Sequence, residues 1–135
     1  MNQNRIVPVT TLEARRVAVI EELTDDIYSV RFILQSLGFQ AKSFSCSDAF
    51  ISELTAFDPE LIVVDMMISK GGGYKVIQDI RKAKMSDRLP ILAIIADAMD
   101  GTVEDVFVAG GQEILAKPYS MSELRAKLTL FFPSN

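Results

Sequence analysis

The chain has 135 residues, of which 49% are hydrophobic and 24% charged, and its formal net charge is −4. This length suits one globular domain, and the acidic balance argues against direct binding of nucleic acid or of an anionic membrane. The single cysteine excludes an internal disulfide, and the absence of histidine excludes histidine metal sites and histidine-assisted nucleophilic catalysis within the chain. No apolar run approaches transmembrane length and no signal-peptide pattern is present, so we expect a cytoplasmic location without membrane contact.

Short apolar runs alternate with helical patterns along the chain. Residues 1–14 are polar and are expected to form a tail. The run Val17–Ile20 predicts a buried strand, and Thr24 is expected to cap a helix that ends at Gly38. Further strands are expected at residues 39–45, 61–65, 91–95 and 113–116. Further helices are expected at residues 48–56 (capped by Ser47), 74–83, 100–109 and after Ser120.

Two local patterns give more detailed expectations. The glycines at 71–73 predict a flexible loop before the third helix. Ser120 and Glu123 have the spacing of a capping box at the start of the last helix. Four apolar residues at helical spacing are expected to line the inner face of that helix: Met121, Leu124, Leu128 and Phe131.

Five strands alternating with five helices predict an α/β fold with a doubly wound, five-stranded parallel sheet and helices on both faces. Right-handed crossovers favour the flavodoxin-like strand order 2-1-3-4-5. The sequence has no repeat, low-complexity segment or sign of a second domain. We therefore expect one domain over residues 15–133.

Charged residues follow several of the predicted strands. The first strand ends in Glu21 and Glu22, the third in Asp65, and the fifth near Lys117. In this strand order, the carboxyl ends of strands one and three are neighbours, so the acids are expected to converge. Packed carboxylates repel unless a cation joins them, and Mg²⁺ binds one or two carboxylates, a carbonyl and several waters. Asp65 could then be a nucleophile that forms an aspartyl phosphate, assisted by Lys117 and by backbone N–H groups near Ala96.

Four segments in a fixed order carry a resemblance to a known family. They are VAVIEE (17–22), LIVVDMM (61–67), PILAIIA (90–96) and GGQEILAKP (110–118), with a glycine and an aromatic residue at positions 73 and 74. From about residue 16 to residue 132, the chain resembles the receiver domain of two-component response regulators, of the single-domain chemotaxis type.

The resemblance implies roles for individual residues. Asp65 corresponds to the phosphoryl acceptor and Lys117 to the lysine that contacts the phosphoryl group. Glu22 corresponds to the acid that binds Mg²⁺ directly, and Glu21 to a partner acid that acts through water. The main-chain carbonyl of Met67 corresponds to the third protein ligand of the metal.

Other positions in the resemblance concern the switch and the backbone. The family usually has threonine or serine where this chain has Ile95, and an aromatic residue where this chain has Ile114. It also usually has aspartate in at least one of the two positions that Glu21 and Glu22 occupy here. We expect Ile95 and Ile114 to pack on each other. The bond between Lys117 and Pro118 is expected to be cis, and the Ala96 backbone N–H is expected to face the phosphoryl group.

Three functions remain open at this stage. In the first, Asp65 accepts a phosphoryl group, with Mg²⁺, from a histidine kinase or phosphotransfer protein. The face of the fourth helix, fifth strand and fifth helix then binds an output protein or a second copy. Catalysis would be limited to Mg-dependent self-phosphorylation and dephosphorylation. In the second, a degenerate receiver acts as a docking module independent of phosphorylation. The third, a flavodoxin-like binder of small molecules, is disfavoured because EELTDD after the first strand repels phosphate.

Overall fold

A computed structural model describes residues 15–22, 29–45, 50–68, 72–83, 89–96 and 102–133. Several sequence predictions fall outside these ranges. They are the tail over residues 1–14, the helix caps at Thr24 and Ser47, and the first of the three glycines, Gly71.

Five parallel strands form one sheet in the order β2-β1-β3-β4-β5. The strands are β1 (Arg16–Ile20), β2 (Gln40–Phe44), β3 (Leu61–Asp65), β4 (Ile91–Ile95) and β5 (Glu113–Ala116). The helices are α1 (Val30–Ser36), α2 (Phe50–Phe57), α3 (Gly72–Lys82), α4 (Thr102–Ala109) and α5 (Met121–Phe131). The predicted fold class and strand order are therefore confirmed.

Helices cover both faces of the sheet, which explains why the central strands are almost continuously apolar. All five residues of β4 and the first four of β3 are buried. Alternate residues of each strand point to opposite faces. One set packs in a core with α2, α3 and α4, and the other packs in a second core with α1 and α5. The first is the α2–α4 core, and the second is the α1/α5 core. Among the described residues, no helix is both long and apolar enough to cross a membrane.

The first helix begins later than the sequence pattern indicated. Its N-cap is Ser29, which has extended backbone angles and whose Oγ accepts a hydrogen bond from the Phe32 amide at 3.2 Å. α1 therefore starts at Val30, five residues after the position expected from a Thr24 cap. Both threonine and serine are good caps, and the local sequence alone could not distinguish them.

The predicted glycine loop is wrong for Gly72 and Gly73, because these residues form the first turn of α3. A Cβ atom on Gly73 would lie 2.7 Å from the Cα of Met66 and 2.8 Å from its Sδ. The glycine thus lets the start of α3 approach the chain just after β3. Its role is close packing rather than loop flexibility.

The last helix starts with the predicted capping box between Ser120 and Glu123. Leu124 and Leu128 are buried as expected, but Met121 is 44% exposed, so its placement on the inner face is wrong. Met121 is the first residue of α5, and Tyr119, which precedes the N-cap Ser120, packs against the α1/α5 core.

Candidate functional site

The carboxyl ends of the strands bring the predicted site residues to one edge of the sheet. Asp65 is the last residue of β3, and Glu21, Ala96 and Lys117 directly follow β1, β4 and β5. The register pairs Ile20 with Val64, so the positions just beyond β1 lie level with Asp65. Because the parallel strands end at the same level of the sheet, residues from distant segments of the chain lie close together there.

Asp65 and Lys117 form an ion pair at this edge. Lys117 Nζ lies 3.3 Å from Asp65 Oδ2, and the two side chains are 42% and 18% exposed, respectively. The Met67 amide donates a hydrogen bond to Asp65 Oδ1 at 2.9 Å. The Lys117 amide donates to the Ile95 carbonyl at 2.8 Å, which fixes the backbone that carries the lysine. One positive charge thus lies beside a carboxylate that is held in place yet reachable from solvent.

The two adjacent glutamates lie in different environments. Glu21 is buried, whereas Glu22 is exposed. The Glu21 carboxylate accepts hydrogen bonds from the Val30 and Arg31 amides at 3.3 and 3.4 Å and from Ser43 Oγ at 3.0 Å. Its oxygens are therefore engaged by the start of α1 and by β2.

Within the described ranges, no three or more acidic, cysteine or histidine side chains are grouped so that they could hold a metal ion. The predicted set of Glu21, Glu22 and Asp65 is thus divided, since the Glu21 oxygens bind α1 and β2. The remaining oxygen donors are the carboxylates of Asp65 and Glu22 and the main-chain carbonyl of Met67. This donor set fits Mg²⁺, which uses one or two carboxylates and keeps several waters.

The two expected switch positions are both apolar and lie on the same face of the sheet. Ile95 is 1% exposed within the α2–α4 core, and Ile114 is partly buried against that core. Ile95 is level with Ala116 and Ile114 with Ala93, so the isoleucines are diagonal neighbours on β4 and β5. Ile95 provides no hydroxyl toward the Asp65 edge.

Beyond the strands, Ala96 is exposed directly after β4, and the role expected for its backbone N–H stays a prediction. The peptide bond between Lys117 and Pro118 is cis.

Tyr119 is a residue of this site that the sequence pattern did not indicate. Burial raises the pKa of its hydroxyl, and the negative charges of Glu21 and Asp65 raise it further. The hydroxyl therefore lies within electrostatic reach of both acids. An aromatic residue two positions after the predicted lysine was the available signal. Ser43 was also missed, because only the folded sheet brings β2 beside Glu21.

Comparisons with known proteins identify related chains. Residues 17–129 match the response regulator receiver domain family. The phosphate regulon transcriptional regulatory protein PhoB of Escherichia coli (strain K12) is 27% identical over 115 residues, which cover 85% of this chain and 50% of the relative. Hybrid signal transduction histidine kinase C of Dictyostelium discoideum is 26% identical, and the match covers 77% of this chain and 9% of the relative. The chain therefore spans about half the length of the phosphate-regulon relative and a much smaller part of the hybrid kinase.

Solved structures show the same fold. Chemotaxis protein CheY4 of Vibrio cholerae superposes with a TM-score of 0.76 at 15% identity, covering 87% of this chain and 98% of that one. The N-terminal domain of the nisin resistance regulator NsrR has a TM-score of 0.67 at 27% identity, covering 87% of this chain and 97% of that one. With the family match over most of the chain, these findings lead to one conclusion: this chain belongs to the response regulator receiver domain family of two-component signalling.

Proposed function

We propose that Asp65 accepts a phosphoryl group from a histidine kinase or phosphotransfer protein. The observation that carries this proposal is the Asp65–Lys117 ion pair at the carboxyl edge of the sheet. An Asp65 carboxylate oxygen would attack the phosphorus while the bond from phosphorus to the donor's histidine nitrogen breaks. The nitrogen leaves with the bonding electrons, and an acyl phosphate remains on Asp65.

The residues around Asp65 suit such a transfer. The Met67 amide holds Oδ1, so the carboxylate orientation is set before the donor arrives. The Lys117 ammonium lies where negative charge of the transferring group would accumulate, and its exposed side chain has room to follow that group.

Receiver domains generally bind Mg²⁺, and the donor set here is compatible with that ion. Asp65, Glu22 and the Met67 carbonyl would hold it. The bound ion would offset the negative charge of the phosphoryl group and of the two carboxylates. Glu21 is not part of this proposed set, because its oxygens accept hydrogen bonds elsewhere.

We further propose that α4, β5 and α5 form the face that binds an output protein or a second copy. Receiver domains in general interact with histidine kinases and output domains. On this face α4 exposes Phe107 and Val108, the latter to 86%. In the other two elements, Glu113 of β5 and Lys127 of α5 form an ion pair at 2.7 Å. Exposed apolar side chains together with charged residues are typical of a protein-binding surface.

A second candidate is a docking module that does not depend on phosphorylation. The observation that favours it is Ile95, which is buried and lacks the hydroxyl through which a phosphoryl group could act on β4. In that case the α4–β5–α5 face would bind its partner equally well with and without modification of Asp65.

Incubation with acetyl phosphate and Mg²⁺, followed by intact mass measurement, tests the first candidate. We expect a gain of one phosphoryl group for the wild type and none for Asp65→Asn. Asp105→Asn, a change at an exposed acid of α4, is the matched control and should be labelled like the wild type. Absence of label in the wild type would favour the docking module, and label in Asp65→Asn would refute the acceptor assignment.

A further inference from the structure

A groove of about 420 Å³ lies between α1 and α5 at the amino end of the sheet, away from Asp65. Apolar side chains from the end of α1, the start of β2 and the second half of α5 line it, together with the exposed Arg125 and Thr129. The apolar ones are Leu37, Phe39, Leu128 and Phe132. We propose that this groove binds residues 7–13 of the same chain. The proposal does not depend on the role of Asp65.

Arg15, the first described residue, lies beside the groove. Its Cζ is 5.1 Å from the centroid of the Phe132 ring, and that ring is 5.5 Å from the ring of Phe39. The Arg15 carbonyl accepts a hydrogen bond from the Gln40 amide at 2.9 Å, which holds the backbone next to the start of β2. The segment that precedes Arg15 therefore starts its course at the groove.

Strand alternation indicates which side chains of this segment would face the groove. Arg15 is two residues before Val17, whose side chain lies in the α1/α5 core, and alternate residues of an extended chain share a face. Counting back in steps of two reaches positions 13, 11, 9 and 7. A proline favours an extended conformation of the residue before it, so Pro8 suits such a course. Val7 and Val9 are then the apolar side chains on the groove side.

The segment is long enough to follow the whole groove. Val9 precedes Arg15 by six residues, which span about 20 Å when extended. The part of α5 from Arg125 to Phe132 is only about 10 Å long. The groove volume also lies within the range of cavities that hold small, mostly apolar ligands. The groove therefore has room for the two valine side chains.

Charge complements the apolar contact. Arg125 is exposed on α5, and in the described part of the chain it has no ion-pair partner. Glu13 is the only acid among residues 1–14, and it shares the parity of Arg15. An exposed ion pair contributes little, whereas burial of apolar side chains is the larger stabilising effect. Pairing of Glu13 with Arg125 thus sets the register of the segment, and Val7 and Val9 supply most of its binding.

Nuclear Overhauser effects in the full chain test the contact directly. An equimolar mixture of ¹³C-labelled and unlabelled protein separates contacts within one chain from contacts between two chains. We expect effects between the methyl groups of Val7 and Val9 and the rings of Phe39 and Phe132 within one chain. Effects seen only between labelled and unlabelled chains would overturn the assignment in favour of a second copy, and the absence of both would overturn the groove as the binding site of this segment.

Two double variants of the full chain separate the apolar contact from a change of charge. Val7→Asp with Val9→Asp should shift the amide resonance of Thr129 and lower Tm by about 3 °C or more. Gln3→Asp with Asn4→Asp adds the same charge nearer the start of the chain, and it should leave that resonance in place and Tm within about 2 °C of the wild type. Equal effects of the two double variants would refute the proposal.

A charge exchange tests the register. Arg125→Glu should weaken the effects between the valine methyl groups and the phenylalanine rings, and adding Glu13→Arg should restore them. Lys82→Glu makes the same change of charge at an exposed position of α3 and should leave them unchanged. No recovery in the exchanged pair would overturn the contact between Glu13 and Arg125. Labelling of Asp65 by acetyl phosphate should be the same in all these variants, because the groove lies at the other end of the sheet.

Discussion

The Arg81 side chain connects three segments at the edge of the sheet opposite Asp65. Its Nε and Nη2 donate to the Gly110 carbonyl at 3.2 and 2.8 Å, and its Nη1 donates to the Leu89 carbonyl at 2.9 Å. Nη2 also donates to Gln112 Oε1 at 2.9 Å, an oxygen that accepts from the Ile91 amide as well. The end of α3 is thereby tied to the segments that lead into β4 and β5.

Gly110 is suited to this contact for two reasons. Its φ of 122° lies in the region that favours glycine, and a Cβ atom would lie 2.9 Å from Cγ of Arg81. The glycine therefore both ends α4 and lets the guanidinium reach the main chain.

We predict that Arg81→Met destabilises the domain by about 2–4 kcal/mol. The change removes charged donors from three acceptors, and each such hydrogen bond contributes roughly 1–2 kcal/mol, less where water can replace it. Methionine keeps most of the apolar stem, so lost packing adds little. For a domain of this size, the corresponding fall in Tm is roughly 6–15 °C.

Urea and thermal unfolding followed by circular dichroism measure this loss. Lys82→Met is the matched control, because Lys82 is the next residue of the same helix and is exposed. Arg81→Lys should recover only a small part of the loss, since an ammonium cannot bind three acceptors in the planar geometry of a guanidinium. An Arg81→Met protein within about 0.5 kcal/mol of the wild type would refute the reasoning.

Three other predictions concern titration and the switch. Burial raises the pKa of Tyr119 above 10.0, so the stability present below pH 10.0 is lost as pH rises through the folded-state pKa. Tyr119→Phe should therefore keep more of its stability in alkaline urea titrations, and equal losses would contradict this. The hydrogen bond from Lys127 lowers the pKa of Glu113 below 4.5, which gives stability that is present above pH 4.5 and lost as pH falls through the folded-state pKa. Glu113→Gln should flatten that acid dependence, and an unchanged slope would exclude the ion pair as its source. Because Ile95 lacks a hydroxyl, beryllium fluoride should shift the amide resonances of α4 less than those next to Asp65. Large shifts throughout α4 would refute this expectation.

The fold was predictable because its signals are local and repeated. Each apolar run has the length of a typical strand, and a helical pattern separates it from the next run. Strands that alternate with helices along the chain indicate a parallel sheet. Asp65 was predictable for the same reason, since a carboxylate at the end of a buried central strand must lie at the edge of the sheet.

Other features depend on contacts between distant segments. Gly73 appeared to belong to a loop because the sequence does not show that Met66 leaves no room for a side chain. The direction of the Glu21 carboxylate depends on where α1 begins and on Ser43 in a neighbouring strand. Tyr119 acquires its environment only when β1 and β3 bring two acids near it.

The most direct test of the central claim locates the phosphoryl group on the chain. After incubation with acetyl phosphate and Mg²⁺, borohydride reduces an aspartyl phosphate to homoserine, and peptide mapping then identifies the position. We expect homoserine at position 65 in the wild type and none when Mg²⁺ is chelated or in Asp65→Asn. Homoserine at another position, or none in the wild type with Mg²⁺, would contradict the assignment of Asp65 as the phosphoryl acceptor.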